Sequence, residues 1–444
     1  MNPRSTPSLR IARLVVENFR TFREATEIKL SSESGADAMP VFHGPNGSGK
    51  SNALAAIDLF FRVASCWLSS GASPTIQTGD TDLRLPWGWG DDRTGLVLSH
   101  RNWPPGIRDP QIIEVHFSDP KLGALRVVLA PSGNEVLLAL ELATGLEAGS
   151  TVKHAFWPMD GKEVAAWLAN TLEAPIGPGS TPFFLLDARR RDFQAIGDRP
   201  TSRIAPQSPL STSMADRLLA MATSLEPDET ERWRSFVSLV GRFKTLSGRE
   251  VSVIRTGEGG ADLRFEIRGK QILQLSELSS GEQQAIALNA AVLTSRAAIV
   301  AIEEPEISLH PDNQKLVHEM LSEHVASGIV DQIILESHVP HFDSREVIRF
   351  NRTSEGTTSV SRQPSSSALE TQLRERAQQH GATEQWVTPE GYTQLHEEMR
   401  HDLHLDRGGN LWFLRGGAEK RWQAWKADEL DRMFGFGEDD SKDK

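Results

Sequence analysis

The stretch Gly44-Pro45-Asn46-Gly47-Ser48-Gly49-Lys50-Ser51 constrains this chain more than any other. It follows a short apolar run, Pro40-Val41-Phe42-His43. After it comes Asn52 to Cys66, where Leu54, Ile57, Leu59, Phe60, Phe61 and Val63 form a wide apolar helical face. All fixed positions of the pattern G-x-x-x-x-G-K-[ST] are present, in the order strand, glycine loop, helix that the pattern requires. The glycines let backbone N–H groups curl around phosphate oxygens. Lys50 can then place its ammonium on the terminal phosphates, and the Ser51 hydroxyl can ligate Mg²⁺. The following helix aims its positive end at the same anion. This pattern predicts an α/β chain that binds a nucleoside triphosphate.

A second constellation lies far downstream. Leu278-Ser279-Ser280-Gly281-Glu282-Gln283 precedes an Ala-rich helix, Ala285 to Thr294. The run Ala298-Ile299-Val300-Ala301-Ile302 then closes in Glu303-Glu304-Pro305-Glu306. A nearly continuous apolar strand of this kind suits a parallel sheet covered on both faces. Carboxylates at its C-terminal end sit where ligands collect in open α/β sheets. One of the pair can hold Mg²⁺ through its water shell and the next can orient an attacking water; a solvated acidic turn is the plainer reading. Ile333-Ile334-Leu335-Glu336-Ser337-His338 supplies another buried strand, ending in a histidine.

Composition excludes several classes. The net charge is -12, which argues against a surface given over to nucleic acid and leaves room only for a local basic groove. Cys66 is the single cysteine, so neither a disulfide framework nor a multi-cysteine zinc site is available. No apolar run reaches membrane-spanning length and the first residues carry no apolar signal core, so the expectation is a cytoplasmic protein. Residues 69–110 are rich in Gly, Pro, Ser and Asp and read as an irregular insertion. Ile112–Phe117, Ala124–Leu129 and Glu135–Leu142 read as an antiparallel meander, and residues 150–245 as mainly helical. Residues 354–369 read as a Ser/Thr-rich linker. No heptad pattern persists long enough for a coiled-coil arm.

Together these motifs resemble an ABC-class ATPase of the branch that holds SMC proteins, RecF and the overcoming-lysogenisation-defect (OLD-like AAA) ATPases. The loop Gly44–Ser51, the signature Leu278–Gln283, the pair Glu303-Glu304, the turn Ser308-Leu309-His310-Pro311 and His338 carry the resemblance. The opening Val16-Glu17-Asn18-Phe19-Arg20-Thr21-Phe22 is similar to the first strand and turn of the same branch. Ser280 in place of the transporter-type glycine, and Glu282 in place of glutamine, favour this branch over a transporter subunit. Glu336-Ser337-His338-Val339-Pro340 departs from the usual Thr-Thr-His-Ser-Pro.

The resemblance implies an ABC-type P-loop fold with a mixed sheet, an antiparallel β lobe, a helical insertion and a small C-terminal α extension. The implied division is an ATPase N-lobe over 1–148, a helical insertion over 149–245, a C-lobe over 246–353, and a partner-binding extension over 354–444. It further implies that Gly44, Asn46, Gly47, Ser48, Gly49, Lys50, Ser51 and Asn52 bind ATP, and that Ser51 and Glu303 hold Mg²⁺. Glu304 would be the general base, His338 would sense the γ-phosphate, and Lys50 would stabilise it. Ser279, Gly281 and Glu282 of one subunit would meet the nucleotide held by another, so a homodimer or higher homo-oligomer follows.

The output is less constrained. The apolar strand in Phe183-Phe184-Leu185-Leu186-Asp187-Ala188 ends in Arg189, Arg190 and Arg191, which read either as a solvated loop with ion pairs or as a phosphate-contacting loop for nucleotide or nucleic acid. Trp412-Phe413-Leu414-Arg415 and Lys420-Arg421-Trp422-Gln423-Ala424-Trp425-Lys426 interleave aromatics with cations. Trp422, Trp425, Leu430 and Met433 fall near helical spacing, which reads as a docked helix or a partner-binding face. No His-Asn-His or toprim-like nuclease arrangement is present in the C-terminal stretch. The leading expectation is an ATPase whose ATP-driven assembly controls a separate effector, a nuclease, in prokaryotic anti-phage defence. The alternatives are a RecF-like repair ATPase that clamps DNA, and an ATP-dependent scaffold with little hydrolysis.

Overall fold

A six-stranded sheet positions everything that follows. In spatial order its strands are Phe183–Leu186, Ile299–Glu303, Gln332–Glu336, Val41–His43, Glu346–Arg352 and Thr358–Pro364. The first five run parallel, and the last pairs antiparallel with its neighbour. The strand that feeds the glycine loop therefore lies beside the histidine strand, and the acidic-pair strand lies one place further out. The computed structural model describes residues 8–32, 35–36, 38–70, 77–78, 82–88, 90–91, 96–119, 122–143, 157–158, 182–186, 214–243, 246–255, 261–267, 272–307, 309, 311–339, 342, 346–364, 401, 412–416 and 421–425.

The period-two alternation of these strands assigns each side chain to one of two cores. Phe183, Ile299, Ala301, Ile334, Ile348 and Phe350 face the first helix, α1 (Lys50–Ser70). Its buried Leu54, Ile57, Phe60 and Phe61 complete that core together with Leu14, Val16, Ile113, Val115, Leu125 and Val127. The last six belong to an antiparallel sheet built along Thr26–Lys29, Ile11–Glu17, Gln111–Phe117, Ala124–Ser132, Glu135–Ala143, Asp82–Pro86 and Gln77–Thr78. Phe184, Leu186, Val300, Ile302, Ile333, Leu335 and Val347 face the opposite way, into the second core. That side is covered by α2 (Met214–Thr223), α3 (Pro227–Val240), α4 (Ser280–Ser295) and α5 (Pro311–Ala326). Each fully buried Leu, Ile or Phe contributes roughly 1.5–3 kcal/mol. With a core on both faces, the central strands have no polar side, which explains their unbroken apolar runs.

The mixed α/β P-loop architecture expected from the motifs is the one the chain adopts, with the antiparallel β lobe in place. Three local readings are corrected. Residues 69–110 are not wholly irregular, because Asp82–Pro86 pairs with Glu135–Ala139 and joins the antiparallel sheet. The apolar run Phe183–Leu186, read as a strand within an otherwise helical stretch, is indeed a strand of the central sheet. Residues 354–369 are not simply a linker, because Thr358–Pro364 pairs with Glu346–Arg352 along its whole length. The helix expected around Trp422 and Trp425 is instead a strand, Arg421–Trp425, paired antiparallel with Trp412–Gly416. This hairpin belongs to a second unit, Glu370–Lys444, distinct from Met1–Leu369. Trp87 packs edge-on against Trp103, with ring centroids 5.1 Å apart.

One buried polar pair ties the helical layer together. His324 of α5, fully buried, places Nε2 2.7 Å from Asn289 Oδ1 of α4. Burial, reinforced by the Arg232 charge, lowers its pKa from 6.5 to about 4. Between those values the unfolded chain takes up a proton that the folded chain refuses. Stability contributed here is thus intact above pH 6.5 and is lost as pH falls toward 4, by up to about 1.4 kcal/mol per pH unit. Unfolding midpoints measured across that window should drop with acidification, and His324→Gln should flatten the drop. An unchanged slope in the variant would show that other groups set the acid limit.

Candidate nucleotide site

The phosphate loop can adopt its shape only because of its glycines. Gly44 and Gly49 have φ of +147° and +111°. A Cβ at Gly44 would run into the backbone oxygen of Phe350, and one at Gly49 into the Thr358 hydroxyl. The loop is thus clamped by the Glu346–Pro364 hairpin. Thr358 Oγ1 sits 3.0 Å from Ser48 O and 2.7 Å from Thr21 Oγ1, which in turn accepts from Asn52 Nδ2 at 2.9 Å. Arg20 reaches Asn52 Oδ1 at 3.3 Å. None of Arg20, Thr21 and Thr358 was assigned a role from the sequence. The Ser48 hydroxyl is buried and has no hydrogen-bond partner among the described residues, which leaves a donor available to an anion in the loop.

Lys50 opens α1 and is only 3% exposed. Its ammonium donates to Gly44 O at 2.9 Å and Pro45 O at 3.1 Å, and lies 3.5 Å from Glu336 Oε1. Ser51 Oγ lies 2.8 Å and 3.1 Å from the two oxygens of the same carboxylate. Glu336 ends the strand beside the loop and is 3% exposed. Burial pushes its carboxyl above the ordinary range, Ser51 and Lys50 pull it back, and Glu304 adds to the rise.

The acidic turn closes on the same point. Glu304 takes a left-handed φ of +44°, a strained choice for a non-glycine residue, and its N–H donates to Glu336 O at 2.8 Å. His338 Nε2 lies 3.7 Å from Glu304 Oε1, while the His338 N–H donates to Glu306 Oε1 at 2.7 Å. Ligating atoms of Glu304, Glu336 and His338 all fall within 4.8 Å of one another. The two carboxylates of this set, with the Ser51 hydroxyl alongside, are oxygen donors that suit a hard cation such as Mg²⁺. Glu303 pairs in register with Glu336 on the strand one place further from the loop, within electrostatic range of Arg20. Lys50, Ser51, Glu304 and His338 are therefore brought together, with Glu336 as an unforeseen member.

The signature residues sit elsewhere, at the N-terminus of α4. Ser279 is the N-cap: its hydroxyl accepts from Glu282 N–H, and Glu282 Oε2 accepts from Ser279 N–H at 3.1 Å. This capping box gives Glu282 a structural task and holds the exposed Ser279 and Ser280 at the mouth of the helix dipole. Ser308, His310 and Arg189 to Arg191 lie outside the described residues.

These strand-end groups lie within two stretches of chain that have known relatives. Residues 10–82 and 221–342 match the family model of an AAA ATPase domain. The first stretch contains the phosphate loop, and the second contains the signature, the acidic pair and His338. The match supports an ATP-binding ATPase. No curated protein matches the chain significantly. Solved structures similar to it include an SMC head bound to the C-winged helix domain of ScpA, at 18% identity and TM-score 0.47, covering 81% of this chain and 99% of that one. Another is the SMC head domain from Thermotoga maritima, at 15% identity and TM-score 0.39, covering 79% and 98%. A third is an SMC head with an extended coiled coil bound to the C-terminal domain of ScpA, derived from Pyrococcus furiosus, at 14% identity and TM-score 0.45, covering 84% and 100%. Among the described residues no helix is long and apolar enough to cross a membrane.

The clamp makes a prediction. Thr358→Val keeps the side-chain volume and removes the hydroxyl that Ser48 O and Thr21 Oγ1 share. Unfolding in urea should show a loss of about 1 kcal/mol, together with weaker binding of a fluorescent ATP analogue. Full retention of both would remove Thr358 from any part in shaping the loop.

Proposed function

We propose that this chain is an ATPase that hydrolyses ATP between two copies of itself, and that its ATP state is read by a separate effector protein. The observation that carries this is the meeting of Lys50 and Ser51 with Glu304 and His338 at the ends of adjacent parallel strands. Phosphoryl transfer needs little covalent chemistry from a protein and much positioning and charge stabilisation. Lys50 would release Gly44 O and Pro45 O to bind the terminal phosphates, while the backbone N–H groups of Gly47 to Ser51 hold the rest. Mg²⁺, when bound, neutralises triphosphate charge; Ser51 would hold it, with Glu303 acting through water. Glu304 would accept the proton of the attacking water, and His338 would contact the γ-phosphate.

The second half of the site would come from a partner copy. Ser279 and Ser280 are exposed at the N-terminus of α4, whose dipole suits an anion presented from outside. Head-to-tail pairing would bring that end onto the nucleotide of the other chain, and hydrolysis would part the two. The resemblance to overcoming-lysogenisation-defect ATPases favours an effector nuclease and a setting in anti-phage defence. The net charge of -12 weighs against the DNA-clamping alternative.

Two experiments test this reading. Glu304→Gln should slow ATP turnover by about a hundredfold or more and accumulate a larger ATP-bound assembly on size-exclusion chromatography. Lys50→Ala and Ser279→Arg should each be inactive alone, yet regain part of the activity when mixed, because one of the two shared sites is then intact. Failure of the mixture to recover would place the whole site within one chain.

A further inference from the structure

Glu336 is an acid where the apolar Gln332–Glu336 strand meets the phosphate loop, and the ATPase reading gives it no task. It is almost fully buried, a costly position for a carboxylate unless it is paired. Its present partners are the two side chains that a triphosphate would claim, Lys50 at 3.5 Å and Ser51 at 2.8 Å. Were Glu336 only a counter-ion for Lys50, nucleotide binding would leave two anions side by side. The ammonium would turn to phosphate, and the buried carboxylate would face that phosphate with its charge unmatched. A divalent cation between them removes the conflict. The Ser51 hydroxyl already lies against both carboxylate oxygens. Glu303, by contrast, stands one strand further out.

Resting on the ATPase reading, we propose that Glu336 is the carboxylate that ligates Mg²⁺ alongside Ser51 in the nucleotide complex, with Glu303 confined to the water shell. Mg²⁺ is commonly held by one or two carboxylates together with substrate phosphates, and this arrangement supplies that set. The strand between the loop strand and the acidic-pair strand thereby contributes a metal ligand of its own.

The test separates metal binding from nucleotide binding. Affinity for a fluorescent ATP analogue is measured in excess Mg²⁺ and in EDTA, and Mn²⁺ affinity of the nucleotide complex is measured by electron paramagnetic resonance. The full chain is compared with its Glu336→Gln, Glu336→Asp and Glu303→Gln variants. Glu336→Gln should lose Mn²⁺ affinity by about tenfold or more and most of the gain that Mg²⁺ gives to nucleotide binding. In EDTA it should bind nucleotide at least as well as the parent, since a negative charge beside the phosphates is gone. Glu303→Gln should lose clearly less. Should Glu336→Gln not fold, Glu336→Asp should weaken Mn²⁺ binding severalfold. Parent-like Mn²⁺ affinity in a folded Glu336 variant would overturn the assignment and leave the ATPase reading standing. Absence of nucleotide binding by the parent chain would overturn both.

Discussion

The parallel pairing of Val41–His43 with Gln332–Glu336 is the constraint on which the rest depends. It joins two segments almost 300 residues apart in the chain, through Leu335 opposite Val41 and Glu336 opposite Phe42. That register brings the last residue of one strand to the first turn of α1, so that Glu336 meets Ser51 and Lys50. A slip by one residue would turn Glu336 to the other face, because side chains alternate along a strand. The two cores hold the register against slipping. Ile334 must point to α1 while Ile333 and Leu335 point to α4 and α5.

The glycine loop is held both by Lys50, which donates to Gly44 O and Pro45 O, and by contacts from outside. Its shape is enforced from outside by Phe350 and Thr358, which come from a hairpin more than 300 residues downstream. The candidate nucleotide site is thus assembled from three distant stretches: the loop and α1, the two strand ends with their carboxylates, and the Glu346–Pro364 hairpin. The exposed cap of α4 stands apart from them, offering a helix N-terminus to whatever docks there.

Much of this was legible in the residues. The loop Gly44–Ser51 carries its chemistry in a fixed local spacing, and the apolar runs before Glu303 and His338 announce strands buried on both faces. What could not be read depends on pairing across long distances. Asp82–Pro86 looks like loop because it is short, exposes Arg84, and pairs with a strand some 50 residues away. Thr358–Pro364 looks like linker because an edge strand needs only one packed face, here through Thr358 and Val360. Trp422 and Trp425 suit a helix by spacing alone, and only the register with Trp412–Gly416 makes them part of a hairpin. Glu336 was visible as an acid in an apolar strand. Its meaning emerged only when the fold placed it beside Ser51.

The central claim is that this loop binds ATP through Lys50. Isothermal titration of ATP with Mg²⁺ into the chain and into its Lys50→Ala variant tests it most directly. One nucleotide should bind per parent chain, with no measurable binding by a folded variant. Equal binding by the two, or none by the parent, would contradict it.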